Sequence, residues 1–134
     1  MLLRGGCLCG DVRYEFNGEL LDAGFCHCRL CQRSSGAPVL AWATGAADGF
    51  SYRAGSVQVF HSSASAVREF CGRCGTQLVF RSQQSPGFID FTLASLDEPG
   101  AVTPQYHIWT DSRIRWLHLA DGLPEFSDAG PDTP

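Results

Sequence analysis

Nowhere in the 134 residues do eighteen apolar residues run together, and the opening Met-Leu-Leu-Arg-Gly-Gly has no long apolar segment behind a positive start. A spanning helix needs about 20 such residues, so neither a membrane span nor a secretory leader is expected. Runs of Lys or Arg are missing too, and the formal net charge is -4 with a pI near 5.4. A polyanion would find no docking stripe, which argues against a nucleic-acid partner. The chain also lacks a long helical stripe, an internal repeat and any nucleotide- or phosphate-binding loop. At 44% hydrophobic it is ample for one core and too short for two ordinary domains.

Cysteine, in contrast, is abundant. There are seven, and an odd number without a secretory leader reads as metal ligands rather than disulfides. A reducing, cytoplasmic setting is expected. Phe25 to Cys31 (Phe-Cys-His-Cys-Arg-Leu-Cys) holds three of them within six residues. Zinc usually takes four ligands, so Cys26, Cys28 and Cys31 sharing one ion would leave a position for water or substrate. The competing reading is a closed, structural site that recruits a fourth ligand from elsewhere.

Gly5 to Gly10 brings Cys7 and Cys9, whose side chains would share a face in an extended chain, and the alternation Val12, Tyr14, Phe16 predicts a half-buried strand. Two small buried hydrophobes would look the same. Cys71-Gly72-Arg73-Cys74-Gly75-Thr76 is a Cys-x-x-Cys knuckle with glycine where the backbone must fold back on the sulfurs. A redox pair would open a helix, whereas Gln77 to Arg81 reads as a strand, so metal is favoured. Cys71 and Cys74 find natural partners in Cys7 and Cys9, a division into four and three that uses every cysteine. Spacing alone leaves open that Cys26 to Cys31 supply the knuckle instead.

Further strands are expected at 20–25, 38–43, 57–60, 67–70, 87–96 and 106–110, with Gln32 to Gly36 a polar turn. His107 is a candidate proton carrier, with a hydrogen-bonded structural histidine as the alternative. Trp42, Trp109 and Trp116 are expected in core or pocket wall. Residues 127–134, polar and rich in proline and glycine, predict a disordered tail.

Residues 5–14 (Gly-Gly-Cys-Leu-Cys-Gly-Asp-Val-Arg-Tyr), 26–31 (Cys-His-Cys-Arg-Leu-Cys) and 70–76 (Phe-Cys-Gly-Arg-Cys-Gly-Thr) together resemble the family of glutathione-dependent formaldehyde-activating enzymes, also called the centromere-protein-V type domain. His107-Ile108-Trp109, Trp116 and Ala120 to Pro124 resemble its closing segment. The resemblance implies a mainly β, zinc-stabilised Mss4-like fold of packed antiparallel β-sheets with little helix, as a single domain over 1–126. It also implies two zinc ions per chain: a structural one on Cys7, Cys9, Cys71 and Cys74, and a catalytic one on Cys26, Cys28 and Cys31.

Two segments depart from the pattern. Asp111 to Arg115 replaces a Gly-Ser-Lys type of sequence, and Gln32 stands where a basic residue is common; both are expected near the substrate. Carbon-sulfur lyase chemistry on a small aldehyde-thiol adduct, such as one of glutathione, is the activity implied. Arg29, Arg33, Arg113 and Arg115 are candidate holders of an anionic substrate. Hydrolysis of a C=N bond and a non-catalytic interaction module are the alternatives.

Overall fold

The computed structural model describes residues 1–131. Alternating apolar positions and short turns give ten strands: β1 (Leu2–Gly6), β2 (Arg13–Asn17), β3 (Leu20–Cys26), β4 (Leu40–Ala46), β5 (Phe50–Ala54), β6 (Val57–His61), β7 (Ala66–Cys71), β8 (Gln77–Ser82), β9 (Phe88–Thr92) and β10 (His107–Ile108). One helix, α1 (Arg29–Ser35), interrupts them. A three-stranded sheet β1-β2-β5 lies beside a seven-stranded sheet ordered β10-β3-β4-β9-β8-β7-β6. All pairings between strands are antiparallel except β10 along β3. The mainly β, packed-sheet architecture is the one expected.

The main core lies between the two sheets. Tyr14 and Phe16 of β2 point inward with Phe50, and meet Ile89 and Phe91 from the alternate positions of β9. Tyr14 stacks on Phe50 at 5.1 Å, and Phe16 approaches Phe91 at 5.3 Å. Each such buried ring contributes about 1.5–3 kcal/mol through area removed from water. Space for Phe16 requires glycine opposite it: a Cβ on Gly45 would lie 2.5 Å from its ring.

The other face of the large sheet carries a second, smaller cluster of Cys26, Cys31, Trp42, Tyr106 and Ile108. Across that sheet, register aligns Arg68 with Phe80, Phe80 with Asp90, and Asp90 with Thr44. Directly opposed residues share a face, so this row forms one wall.

Several local expectations are corrected. Residues 29–35 form a helix rather than a polar turn, because the Cys28 sulfur accepts from Cys31 N–H as an N-cap and Gly36, at φ 72°, closes the other end. Cys7 and Cys9 sit on a tight turn rather than on extended chain, with Gly10 N–H donating to Cys7 C=O. Strands β1 and β5 were not foreseen, and both depend on pairing with β2. Of the stretch 127–134 predicted as tail, Asp128 C=O accepts from Trp109 N–H at 3.0 Å, and residues 132–134 lie outside the described residues. Among the described residues no helix is long and apolar enough to cross a membrane.

Candidate metal centres and pocket

The seven sulfurs fall into two groups. Cys7, Cys9, Cys71 and Cys74 form one and Cys26, Cys28 and Cys31 the other, with every sulfur of a group within 4.8 Å of the rest. Among the described residues no fourth Cys, His, Asp or Glu joins the three. Tetrahedral zinc with Zn–S of about 2.3 Å sets S···S near 3.8 Å. Separations of 3.5 Å for Cys7 to Cys9, 3.8 Å for Cys9 to Cys71 and 3.4 Å for Cys26 to Cys31 fit one shared ion in each group.

Two backbone turns build the four-sulfur group. The first, Cys7 to Gly10, is closed by Cys7 N–H to Val12 C=O, and Val12 N–H donates back to the Cys7 sulfur. The second is the knuckle, where the Arg73 and Cys74 N–H groups aim at the Cys71 sulfur at 3.4 and 3.5 Å. Thr76 ties the two together, its hydroxyl accepting from Leu8 N–H and lying 3.2 Å from the Cys74 sulfur. That hydroxyl pushes the Cys74 thiol down to about 5. Amide and hydroxyl donors around sulfur stabilise thiolate, the form a metal requires.

The three-sulfur group joins the end of β3 to α1. Shared S–H donors split its members: Cys28 is pushed down, first by its bond with Cys26, while Cys26 is pushed up, first by its bond with Cys28. Thiols this close do not all ionise unaided, and a cation among them resolves the conflict. One cation is already in place. Arg68, 4% exposed, holds both terminal nitrogens 3.8 Å from the Cys31 sulfur and one of them 3.3 Å from Ser34 Oγ. Its guanidinium packs against both Phe80 and Trp42, 5.1 and 5.9 Å from the ring centres, where those two rings meet edge to face. Such stacking suits arginine's weakly hydrated plane.

A cavity of about 340 Å³ opens beside these sulfurs, lined by Cys26, Cys28, Leu30, Cys31, Trp42, Arg68, Phe80, Asp90, Ile108 and Trp109. Thr44 Oγ1 donates to Asp90 Oδ1. Trp109 is the one non-glycine residue at positive φ (55°) among the described residues. A bulky residue there costs of order 1–3 kcal/mol unless its surroundings hold it. Here they do, through the Trp109 N–H to Asp128 and the Ser112 N–H to Trp109 C=O.

The other candidates lie elsewhere. His107 is fully buried and outside the pocket wall, stacked on Phe25 at 4.8 Å. Its Nδ1 contacts His27 Nε2 and its Nε2 contacts Asp121 Oδ2, each at 2.8 Å. With Nε2 donating to the carboxylate and His27 Nε2 donating to Nδ1, a chain running inward from exposed Asp121 through buried His107 to buried His27 pins β10 to the loop between Cys26 and Cys28. Burial pushes His27 down to about 4, so it stays neutral. Gln32 is buried and bridges structure, donating to the carbonyls of His27 and Ser112 and accepting from Arg29. Arg113 pairs with Glu125 at 3.1 Å, and Arg33 and Arg115 are exposed. Neither Gln32, residues 111–115 nor these arginines line the pocket. Trp42 and Trp109 do, whereas Trp116 is 69% exposed.

Sequence reasoning missed Arg68 and Asp90. Their signal is the cross-strand row, which appears only once β7, β8, β9 and β4 are known to be neighbours.

The model of a family described as glutathione-dependent formaldehyde-activating enzyme matches residues 2–112. No curated protein matches the chain. A crystal structure of a Rhodobacter sphaeroides protein superposes with a TM-score of 0.59 at 22% identity, covering 92% of this chain and 98% of that one, a likeness of fold.

Proposed function

The chain belongs to the family of glutathione-dependent formaldehyde-activating enzymes, and from that premise we propose that it makes or breaks the carbon-sulfur bond of an aldehyde-thiol adduct. The observation that carries this reading is the three-thiol group, without a fourth protein ligand among the described residues, facing a pocket. Cys26, Cys28 and Cys31 would hold one zinc, and Cys7, Cys9, Cys71 and Cys74 a second. The ion on the three thiols would supply a Lewis-acid position for a soft thiolate or a polarised oxygen.

The chain's own groups supply the rest. A dication on three thiolates carries one net negative charge, which the adjacent Arg68 guanidinium offsets, so that an incoming thiolate is not repelled. Trp42, Phe80 and Trp109 exclude water from the reacting carbon. In the forming direction the sulfur bonds to the carbonyl carbon and the thiol proton passes to the oxygen; Asp90 is the wall's one carboxylate and our candidate to carry it. His107 we assign to positioning, since its contacts hold β10 rather than reach the pocket. The sequence has no lysine, so the carbonyl is not held as a lysine imine. Seven thiols in such use suit a reducing compartment.

Asp90 also gives C=N hydrolysis its one favourable observation, a carboxylate in the wall of the pocket that the three sulfurs line. Titration calorimetry with glutathione, then NMR exchange of its formaldehyde adduct, compares the parent protein with Cys28→Ser. Thiol binding and faster exchange, both lost in the variant, are expected. Cys28-dependent turnover of an imine without thiol binding would replace this reading with the hydrolytic one, and silence in both assays would favour an interaction module.

A further inference from the structure

Formaldehyde is one carbon, and the pocket is much larger than one carbon requires. A small molecule the size of water takes about 30 Å³, and a dry apolar cavity of about 150 Å³ is enough for benzene. The space beside Cys26, Cys28 and Cys31 is about 340 Å³. Its composition is as telling as its size. Of the ten lining residues, five are large and apolar (Leu30, Trp42, Phe80, Ile108 and Trp109), and apart from the three cysteines Arg68 and Asp90 alone carry formal charge.

Arg68 already faces the Cys31 sulfur with both terminal nitrogens and packs against two rings, while its buried Nε has no hydrogen-bond partner among the described residues. A tripeptide thiol such as glutathione brings two carboxylates and an ammonium, and this wall offers one cation, Arg68, whose terminal nitrogens already face a sulfur. One partly engaged arginine cannot receive both carboxylates, so charged ends of such a thiol lie toward solvent. The interior is left to whatever is attached to the carbonyl carbon.

The mouth points the same way. Leu30 and Trp109 line the pocket yet are 54% and 42% exposed, and Trp109 is held in a backbone conformation that bulky residues avoid. Two apolar side chains left at a cavity's entrance extend its apolar wall outward, where they would be covered by a bound apolar group.

Resting on the lyase reading above, we propose that the adduct this site handles carries an apolar substituent on its carbon, aromatic or branched aliphatic, so that the aldehyde is larger than formaldehyde. The balance is that of hemithioacetal exchange: R–CHO and R′–SH give R–CH(OH)–S–R′. One C–S bond forms, the carbonyl π pair takes up the thiol proton, and nothing is oxidised or reduced. Selectivity arises because the substituent leaves water for the Trp42, Phe80 and Trp109 surfaces, while formaldehyde leaves that space unfilled.

The test uses the zinc-loaded full chain with glutathione as the common thiol and two aldehydes, formaldehyde and phenylacetaldehyde. Exchange NMR gives the acceleration of each adduct over its uncatalysed rate. Acceleration should be at least about tenfold greater for phenylacetaldehyde, since a few apolar carbons in a fitted pocket discriminate on that scale. Trp109→Ala should shrink that ratio. In parallel, 2-phenylethanol, which does not react with thiols, should shift the indole N–H signals of Trp42 and Trp109. Equal or greater acceleration with formaldehyde, without those shifts, would overturn the proposal and leave the lyase reading standing. Shifts by 2-phenylethanol with no acceleration of either adduct would overturn the lyase reading itself, and with it the substrate assigned here.

Discussion

The two sulfur groups are made of the same residue and differ in almost everything around it. The four-sulfur group joins chain segments far apart, Cys9 meeting Cys71 across 62 positions. The three-sulfur group is local, Cys26 meeting Cys31 across five. Closing the longer loop removes about 2 kcal/mol more chain freedom than closing the short one and ties distant segments together, so a cation shared by the first group would act on the fold and one shared by the second mainly on its neighbourhood. Charge compensation differs in the same direction. Near the first group Arg73 pairs with Asp11 at the surface, 72% and 51% exposed, while at the second Arg68 is buried against sulfur. The first group is completed by four sulfurs from two distant turns, whereas the second has three sulfurs and borders a largely apolar cavity.

The contrast is broken most severely by Cys71→Ser. Structural zinc contributes about 10–16 kcal/mol in small zinc peptides, comparable to the roughly 5–15 kcal/mol of a whole domain's net stability. Cys71→Ser should give little folded protein, as read by circular dichroism and soluble yield. Cys28→Ser should fold with a Tm within a few degrees of the parent, since serine keeps the N-cap of α1, yet lose its activity. Equal unfolding by both would make the second group structural as well.

Arg68→Met sharpens the difference at intermediate size. Removing the cation that faces the Cys31 sulfur should weaken metal retention at the three-sulfur group by about 10–100-fold, the usual cost of a lost neighbouring contact to a ligand, while the four-sulfur group holds its ion unchanged. Competition with a chromophoric chelator separates the two. At the small end, Arg73→Ala removes an exposed, solvent-screened ion pair and should leave the urea unfolding midpoint essentially unchanged. A larger loss would mean that Arg73 supports the knuckle directly.

The sulfurs were legible because their spacing is local: Cys26 to Cys31 and the Cys71 to Cys74 knuckle carry their geometry in a few residues. The buried alternation of β9 was legible for the same reason, with Ile89 and Phe91 facing the core as period two requires. Arg68 was not, because an arginine between Val67 and Glu69 looks like any half-exposed strand position until β8 and β9 bring Phe80 and Asp90 alongside. Strand β1 hid behind Gly5 and Gly6, poor strand formers that are held in place by pairing with β2. Close approach demands glycine at one of these edges, where a Cβ on Gly5 would lie 2.5 Å from the Tyr14 ring. Helix α1 was hidden because its start is set by a cysteine thiol, a capping group outside the usual Ser, Thr, Asp and Asn.

Metal release tests most directly whether one sulfur group is closed and the other open. The purified protein should contain two zinc ions per chain, by elemental analysis. Under a mild chelator at neutral pH they should leave in two phases, the fast phase absent from Cys28→Ser and the slow phase accompanied by unfolding. A single ion per chain, or two ions lost in one phase together with the fold, would contradict the account.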